Sequence, residues 1–403
     1  MAPVTRTYLD HAATTPMVPA AAEAVAAQLS RIGNPSSLHA SGRAARRVLE
    51  DAREQIAELL GARSAEVIFT SGGTEADNLA IKGAYWSRRA GGRAGGRDSS
   101  PGGAPRSRVV VSAVEHHAVL DPARWLASTA DAEVVEIGVD VVGRVDLGEL
   151  EGAVDDRTAV VSVMWANNEI GTLQPIGEVA ALARRVGAWS HSDAVQAVGH
   201  LPVDFAASGL DLMTVTAHKL GGPVGVGALL ARREIELAAV LHGGGQERDV
   251  RSGTRDVAGV AGFAAALAVA VSTQAVERER LELLRAGLVH AVLSAAPDAV
   301  VHGPAEAGDR LPGVLDVELP GCAADALLLL LDAAGIDCST GSACTAGVAE
   351  PSHVLLALGR TRQEAGSALR FSLGHTSTRA DVDAVAAALP DVLTRARAFG
   401  GAS

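Results

Sequence analysis

Residues 213–227 read MTVTAHKLGGPVGVG, an apolar run that ends in a histidine, a lysine and a series of glycines. Of the 35 lysine and arginine residues in the chain, only Lys82 and Lys219 are lysines. An arginine stays protonated in proteins, whereas a partly buried lysine can lose its proton and become an amine nucleophile. Lys219 is therefore a candidate for Schiff-base chemistry, and the alternative is an ordinary surface lysine.

The sequence on either side of this stretch predicts an α/β fold. Apolar runs rich in valine and isoleucine alternate with helical patterns from about residue 60 to residue 230, which predicts a mostly parallel central sheet with helices on both faces. The runs are Val67–Phe69, Val109–Val111, Val134–Ile137, Val160–Met164 and Met213–Val215. After about residue 260, helical patterns, short strands around Val314–Leu319 and a final helix after Thr378 predict a smaller α+β domain.

The composition is that of an ordinary globular protein, with 48% hydrophobic and 20% charged residues among 403. The formal net charge of −12 argues against broad contact with nucleic acid or an anionic membrane. The uncharged run Val257–Ser272 is too short for a membrane span and predicts a buried helix. Three cysteines are too few for a disulfide framework and no signal peptide is evident, so we expect a cytoplasmic protein. Residues 88–107, rich in glycine and proline, predict a flexible surface excursion.

Polar and reactive residues follow several of the predicted strands, where open parallel sheets bind their ligands. They are Ser71-Gly72-Gly73-Thr74-Glu75, Glu115-His116-His117, Asn167-Asn168-Glu169, Asp193 with Gln196, and Lys219. Each group alone is compatible with a helix cap. Together they offer glycines and helix amides for a phosphate, a buried carboxylate and a Schiff-base lysine. This combination matches what pyridoxal phosphate requires.

A zinc site at His116 and His117 is the alternative use of the two histidines. The nearby sequence offers no matching cluster of ligands, so a metal is not expected. An imidazole at this position can instead stack on an aromatic ligand or transfer protons.

The chain resembles the cysteine desulfurases of the NifS/IscS group, within the class V aminotransferase family of fold type I. The matching stretches occur in the family's order between about Tyr8 and Leu389. They are YLDHAATTP, GNPSSLHASG, FTSGGTEADN, EHHAVL, NNEIGT, SDAVQAVG, AHKLGGPVGVG, RSGT, STGSACTAGVAEPSHVLLALG and LRFSLG. The resemblance implies a fold type I transferase that uses pyridoxal phosphate, and a homodimer with its sites near the subunit interface. It also implies a large cofactor domain, residues 15–260, and a small domain, residues 1–14 with 261–403.

The resemblance assigns roles to the residues at the matching positions. Lys219 would bind the cofactor covalently, Asp193 would pair with its pyridine nitrogen, and His116 would stack on its ring and assist proton transfers. The remaining ligands of the cofactor would be Gln196 and Asn168 near its phenolic oxygen, Gly73, Thr74, Thr216 and His218 at its phosphate, and Thr254 at the phosphate of the neighbouring subunit. The substrate carboxylate would be bound by Asn34 and by Arg370, whose planar guanidinium suits a carboxylate.

The resemblance also identifies Cys344 as the nucleophile that accepts sulfur. It lies in TGSACTAGVAEP, a run of small residues that is typical of a mobile loop in the predicted small domain. Cys338, in IDCST, and Cys322, after Pro-Gly, have settings typical of packed structural cysteines.

The resemblance implies that L-cysteine is converted to L-alanine, with the sulfur held as a persulfide on Cys344. The acceptor would be an iron–sulfur scaffold, a tRNA thiolase or a DNA-sulfur-modification protein. Selenocysteine lyase, an aminotransferase or a kynureninase-like hydrolase remain alternatives that use the same cofactor, and the cysteine-bearing segment argues against the last two. A non-catalytic phosphate-ligand or sulfur-carrier module is the alternative from a different class, although every catalytic position is occupied.

Overall fold

The computed structural model describes residues 6–89, 105–341 and 351–400, with side chains up to Ala398. Strands and helices are numbered along the chain. The strands are β1 (Thr7–Tyr8), β2 (Val67–Thr70), β3 (Arg108–Ser112), β4 (Glu133–Ile137), β5 (Thr158–Ser162), β6 (Trp189–Asp193), β7 (Leu212–Thr216), β8 (Gly227–Ala231), β9 (Val300–His302), β10 (Val314–Glu318), β11 (Ile336–Asp337) and β12 (Ala368–Ser372).

Helices flank these strands throughout the described ranges, as expected for an α/β protein. They are α1 (Pro19–Leu29), α2 (Ala40–Leu59), α3 (Gly73–Arg89), α4 (His117–Thr129), α5 (Leu147–Ala153), α6 (Ile176–Arg185), α7 (Phe205–Ser208), α8 (Val257–Ala295), α9 (Ala324–Ala333), α10 (His353–Ala357), α11 (Arg362–Ala365) and α12 (Arg379–Gly400). Helices pack on both faces of the main sheet, and each face has its own hydrophobic core. This arrangement confirms the predicted fold class.

The main sheet has seven strands among the described residues, in the order β2-β8-β7-β6-β5-β3-β4. β8 runs antiparallel to both of its neighbours, and the other pairs of adjacent strands are parallel. The six strands other than β8 therefore point in one direction, and their carboxyl ends lie at one edge. The central strands β5, β6 and β7 are buried along most of their length, which explains the apolar residues of β5 and β7, whereas β6 is buried although its sequence, WSHSD, is mostly polar.

A second, smaller layer contains an antiparallel sheet in the order β12-β10-β9 and a parallel pair formed by β1 and β11. Its core combines residues of β10, β12, α9 and α12 with Leu9, which follows β1. The N-terminal segment is therefore part of this layer although it lies far away in sequence. Just after Leu9 the segment returns towards the main sheet, because Thr15 donates its backbone N–H to the His218 carbonyl oxygen.

Helix α8 connects the two layers without a break. Val260, Phe263 and Leu267 belong to the core of the main sheet, whereas Leu281 and Leu288 belong to the core of the smaller layer. The domain boundary near residue 260 stays a prediction. Among the described residues, α8 alone has the length and apolar composition of a membrane span, and core helices share this property.

The predicted strands occur in the structure, with one difference in length. β5 ends at Ser162, two residues before the predicted end, because the backbone N–H of Met164 donates to the Glu115 carboxylate instead of to a strand. β8 was not predicted from the sequence. The start of the predicted excursion, Arg88–Arg89, is the last turn of α3, and residues 90–104 lie outside the described ranges.

Candidate active site

The carboxyl ends of the parallel strands bring most of the predicted site residues to one edge of the main sheet. β2 leads into Gly73, β5 is followed by Asn168, Asp193 ends β6, and β7 ends at Thr216, three residues before Lys219. β6 and β7 are adjacent strands, and Asp193 pairs in register with Thr214. Against the larger effect of burial, the positive charge of Lys219 lowers the pKa of Asp193, so the two groups are close enough to interact electrostatically.

The Lys219 ammonium is held by two backbone oxygens of the N-terminal segment. Its Nζ donates to the carbonyl oxygens of Ala12 and Ala13 at 2.6 Å and 2.5 Å. Burial lowers the pKa of Lys219 to about 8, and the Arg370 guanidinium acts in the same direction. A lysine with this pKa is partly neutral near physiological pH, and its amine can then act as a nucleophile or a base.

The Asp193 carboxyl is buried beneath the pocket. Its Oδ1 accepts a hydrogen bond from the backbone N–H of Val195 at 2.9 Å. Burial raises the pKa of Asp193 to about 6, and the charge of Lys219 opposes this shift. A carboxylate of this kind can hold a proton on a basic ring nitrogen.

Two histidines of the pocket are neutral at pH 7. His116 precedes α4 and accepts the backbone N–H of Ala118 through Nδ1 at 3.1 Å. Burial and, after it, the charge of Lys219 lower the pKa of both His116 and His218 to about 4. The His116 residue is exposed to solvent, which is compatible with stacking on the ring of a ligand.

The first turn of α3 and the end of β7 form a surface suited to a phosphate. A helix begins with backbone N–H groups that have no partner within the helix, and they favour an anion. Gly72 precedes α3 with φ +143°, and a Cβ at Gly227 would lie 2.9 Å from the Gly72 Cα atom. A Cβ at Gly73 would lie 3.9 Å from Thr216, so the first turn of α3 packs close to the end of β7. Because Gly72, Gly73 and Gly227 have no side chains, the start of α3 can lie close to the end of β7 and the start of β8.

Arg370 approaches the pocket from the smaller layer, on β12. Its Nη2 donates to Asp10 Oδ1 at 2.8 Å, and its Nη1 donates to the Asn168 carbonyl oxygen at 3.1 Å. The side chain is buried, and its Nε has no hydrogen-bond partner among the described residues. Because Nε and one Nη of a guanidinium can bind a carboxylate as a pair, Arg370 retains the capacity to bind a substrate carboxylate.

Gln196 shares a backbone acceptor with Lys219. Its Nε2 donates to the Ala12 carbonyl oxygen at 2.9 Å, which places Gln196, Lys219 and the N-terminal segment together. A cavity next to this contact is lined by Gln196 and Lys219 and also by His11, His200 and His375.

Two of the predicted site residues that the structure describes, Asn34 and Thr254, are not brought into this cluster, and a third, Cys344, is not described. Asn34 is exposed, and its Oδ1 accepts the backbone N–H of Ser36 in a local turn. Thr254 is also exposed, and the nearby Arg251 pairs with Glu75 of α3. Cys344 lies outside the described residues. The roles of these three residues stay predictions.

The structure adds contacts that the sequence reasoning missed. Asp10 pairs with Arg370, and the carbonyl oxygens of Ala12 and Ala13 hold Lys219. The sequence offered one signal, because Asp10, Ala12 and Ala13 lie in YLDHAATTP, a motif that supported the resemblance and received no residue roles.

The predicted Cys344 segment is anchored at both ends on one buried carboxyl. Ser352 donates its hydroxyl to Glu169 Oε2 at 2.5 Å. Gly341, with φ +82°, lies so close that a Cβ there would be 2.9 Å from the same oxygen. Burial raises the pKa of Glu169 to about 7. Glu169 is the neighbour of Asn168, so Gly341 and Ser352, the described residues on either side of residues 342–350, both lie close to the candidate site.

These features fit pyridoxal phosphate. Lys219 provides an amine, Asp193 a buried carboxylate for a ring nitrogen, and the first turn of α3 an anion site, all at one sheet edge. No cluster of side chains suited to a metal ion occurs in the ranges 6–89, 105–341 and 351–398.

The comparisons with known proteins identify the family of the chain. The sequence profile described as aminotransferase class-V matches residues 7–385. An IscS-like cysteine desulfurase of Mycobacterium tuberculosis is 55% identical over 392 residues, which cover 97% of each protein. The solved structure of a NifS-like protein has 32% identity and a TM-score of 0.86, covering 97% of this chain and 100% of that one.

A further solved structure, described as SspA in complex with cysteine, is 29% identical with a TM-score of 0.76 and covers 91% of this chain and 98% of that one. Sequence and structure therefore point to the same relatives over nearly the whole chain. The chain belongs to the class-V aminotransferase family, in its group of NifS- and IscS-like cysteine desulfurases.

Proposed function

We propose that this protein is a pyridoxal-phosphate-dependent cysteine desulfurase that converts L-cysteine to L-alanine and passes the sulfur on through a persulfide of Cys344. The observation that supports this most is the electrostatic cluster around Lys219. The pKa of Lys219 is about 8, and the charges of Asp193 and Arg370 both act on it. A lysine held only as surface charge would have neither the buried carboxylate nor the guanidinium beside it.

Arg370 binds the carboxylate of L-cysteine in this proposal. The Nε without a partner and one Nη are the donors, and Asn168 and Asp10 hold the guanidinium in place. Asn34 lies in an exposed turn, and it completes the carboxylate site if substrate or a second subunit brings that turn closer. Binding the carboxylate fixes the Cα atom of the substrate near Lys219.

Lys219 and His116 move the protons. Lys219 would hold the cofactor through its amine, and in its neutral form this amine would take the Cα proton of the substrate. His116, neutral at pH 7, exchanges protons at the substrate thiol. When bound, pyridoxal phosphate acts as an electron sink that makes this Cα proton acidic.

The other ligands position the cofactor. Gly73, Thr74, Thr216 and His218 would hold the phosphate, Thr254 would reach the phosphate of a second subunit, and Gln196 and Asn168 would contact the phenolic oxygen. Asp193 keeps the ring nitrogen protonated, because an ionised carboxylate favours a positive charge beside it. The Asp193 carboxyl is buried, which strengthens this interaction.

Cys344 takes the sulfur from the substrate. Its setting in TGSACTAGVAEP, a run of small residues, supports this role. The other two cysteines are poor nucleophiles, because burial raises the pKa of Cys338 to about 12 and also raises the pKa of Cys322.

Mass spectrometry after exposure to L-cysteine tests the proposal. We expect one additional sulfur on the peptide that contains Cys344, removable by a reductant. Cys344→Ser should still bind cysteine but release neither alanine nor sulfide, whereas Cys322→Ser and Cys338→Ser, the matched controls, should retain most activity. Sulfur mainly on Cys338, or full alanine production by Cys344→Ser, would favour a lyase that needs no cysteine nucleophile.

The sulfur acceptor is a protein, namely an iron–sulfur scaffold, a tRNA thiolase or a DNA-sulfur-modification protein. We further propose a cytoplasmic homodimer. Leu29, Ile32 and Leu38, at and between α1 and α2, are largely exposed, and such apolar surface favours an interface. Light scattering of the purified protein tests the dimer, cell fractionation tests the location, and capture of partners by the persulfidated protein tests the acceptor. A monomer at micromolar concentration would contradict the dimer.

A further inference from the structure

The loop between β8 and α8, residues 232–256, contains a strained turn. Glu247, Arg248 and Asp249 have φ values of 44°, 60° and 61°, in the left-handed region that residues other than glycine rarely adopt. Consecutive residues of this kind persist only where the surrounding structure fixes them. The contacts around the turn therefore indicate what the loop positions.

The Glu247 carboxylate fixes the turn to the main sheet. It is buried, and it accepts two hydrogen bonds of 2.8 Å from the Arg53 guanidinium of α2 and one of 2.9 Å from the backbone N–H of Phe69. Phe69 lies on β2, at one end of the strand order, and β2 leads through Ser71 into α3. The turn is thus attached to the strand that precedes the predicted phosphate site.

Arg251 follows this turn, and its backbone is held by contacts that do not involve its side chain. Leu241 and Arg251 form a parallel β-bridge, and the backbone N–H of Ser252 donates to the Leu241 carbonyl oxygen at 3.1 Å. The Gln246 side chain accepts the backbone N–H of Gly253 at 2.8 Å. The loop therefore presents Arg251 at a fixed place.

The Arg251 guanidinium pairs with Glu75 in the first turn of α3. Its Nε donates to Glu75 Oε1 at 2.7 Å, and its Nη2 donates to Glu75 Oε2 at 3.3 Å. Glu75 Oε2 also accepts the backbone N–H of Ser71 at 2.7 Å and the Ser71 hydroxyl. The side chains of Arg251 and Glu75 are only 15% and 24% exposed, so water screens the pair weakly.

Glu75 places a negative charge where an anion is expected to bind. Burial acts to raise its pKa, but hydrogen bonds from Arg251 and Ser71 outweigh burial and lower the pKa, so the carboxyl is ionised at pH 7. The backbone N–H groups of Gly73, Thr74 and Glu75 begin α3 and have no partner within the helix. An ionised carboxylate in this turn repels a phosphate and competes with it for the positive end of the helix.

We propose that Arg251 is a positioning residue for the phosphate group of the cofactor, because it neutralises the Glu75 carboxylate in the first turn of α3 and keeps it hydrogen-bonded to Ser71. The ion pair carries no net charge, and it leaves the N–H groups of the turn to the phosphate. This inference rests on the proposed use of pyridoxal phosphate.

The alternative is an ion pair that only fastens the loop to α3. In that role the two partners are equivalent, so the loss of either one has the same consequence, and the phosphate of the ligand does not matter. In the proposed role the two partners act with opposite sign on a phosphate-bearing ligand. The two roles can therefore be separated by experiment.

Titration of the cofactor-free protein with pyridoxal phosphate and with pyridoxal, followed by visible absorption, tests the proposal. Arg251→Met should weaken the binding of pyridoxal phosphate by roughly 10-fold, because Glu75 then lies uncompensated beside the phosphate. The binding of pyridoxal, which has the same ring and aldehyde but no phosphate, should stay within about two-fold of wild type.

Glu75→Gln should have the opposite effect. Glutamine keeps an acceptor for the backbone N–H of Ser71, and Arg251 then adds an uncompensated positive charge. Pyridoxal phosphate should therefore bind at least as tightly as it does to wild type. In the double variant, Glu75→Gln should restore most of the affinity that Arg251→Met loses.

Arg248→Met is the matched control, because Arg248 lies in the same loop and donates to the backbone oxygens of Ala231 and Ile235. It should leave the ratio of the two affinities, for pyridoxal phosphate and for pyridoxal, unchanged even where thermal unfolding shows a loss of stability. If Arg251→Met does not fold, the direction of the change in Glu75→Gln decides on its own.

Either of two results would overturn the proposal. Equal weakening of pyridoxal phosphate and pyridoxal by Arg251→Met, or weaker binding of pyridoxal phosphate by Glu75→Gln, would mean that the pair only fastens the loop. A wild-type protein that shows no visible band with pyridoxal phosphate would contradict the proposed cofactor instead, so the two failures are distinguishable.

Discussion

The surroundings of the two lysines differ although both side chains are partly buried. Lys82, on α3, has its Nζ 4.5 Å from the centre of the Trp125 ring, and burial lowers its pKa. Lys219 donates to the Ala12 and Ala13 carbonyl oxygens and faces charged groups on both layers. Burial alone therefore does not distinguish a reactive lysine in this chain. The distinguishing feature is its place at the end of a central strand, opposite a buried carboxylate.

The largest expected effect comes from removing the amine at the strand end. Lys219→Ala should abolish the visible absorption of the lysine-bound cofactor and lower turnover by about 10³- to 10⁴-fold, because the cofactor loses its covalent attachment and the Cα proton its base. Absorption spectra and alanine release check this. Lys82→Arg is the matched control and should change neither. Loss of the absorption in the Lys82 variant would indicate that Lys82, and not Lys219, is the reactive lysine.

The carboxylate opposite Lys219 should have the next largest effect. Asp193→Asn should still bind pyridoxal phosphate but lower turnover by roughly 100-fold or more, because an amide cannot keep the ring nitrogen protonated. Cofactor content and steady-state rates check this. If Asp193 only caps a local turn, the variant will instead show lower thermal stability and turnover within a few-fold of wild type.

A smaller effect concerns stability as a function of pH in the cofactor-free protein. The pKa of Lys219 is about 8 in the folded protein and about 10.4 when unperturbed. Between these values the unfolded chain binds more protons, so the free energy of unfolding gains a contribution that rises with pH. Urea unfolding at pH 8 and pH 10 should show a smaller rise for Lys219→Met than for wild type. An equal rise in both proteins would contradict the lowered pKa.

The smallest effect is expected at the other lysine. Lys82→Ala removes the contact with Trp125 and should lower the free energy of unfolding by about 0.5–1 kcal/mol. Turnover should remain at the wild-type value. A loss of turnover larger than the loss of folded protein would give Lys82 a role that its position does not explain.

The fold was predictable where the sequence of a single segment indicates that the segment is buried. Val109–Val111 is a continuous apolar run because both faces of its strand are covered, and it was predicted as a strand, as was Met213–Val215. β8, in contrast, follows a glycine-rich stretch, and its sequence GALLA contains none of the β-branched residues that are typical of strands. Its place between β2 and β7 follows from long-range pairing that no local pattern contains.

In the candidate site, too, some residues could be predicted from the local sequence and others depend on contacts between distant segments. Asp193 and Lys219 are visible in the sequence because each follows a predicted strand. The pairing of Asp10 with Arg370 was not predictable, because 360 residues separate them and the contact exists only once the smaller layer has folded. Ser162, His191 and Thr214 gave a local signal that was not used, since each interrupts a buried strand with a polar side chain.

The carbonyl oxygen of Ala12 has a consequence for protein engineering. It accepts hydrogen bonds from both Lys219 and Gln196, yet it belongs to the backbone and is present whichever amino acid occupies position 12. A scan of substitutions at that position would report the tolerated size of the side chain and nothing about the acceptor. The position of this oxygen depends instead on how the neighbouring residues pack. At Gly374, for example, a Cβ would collide with the ring of His11, which precedes Ala12. Libraries designed to alter this pocket should therefore keep Gly374 fixed and vary the groups that donate to the oxygen.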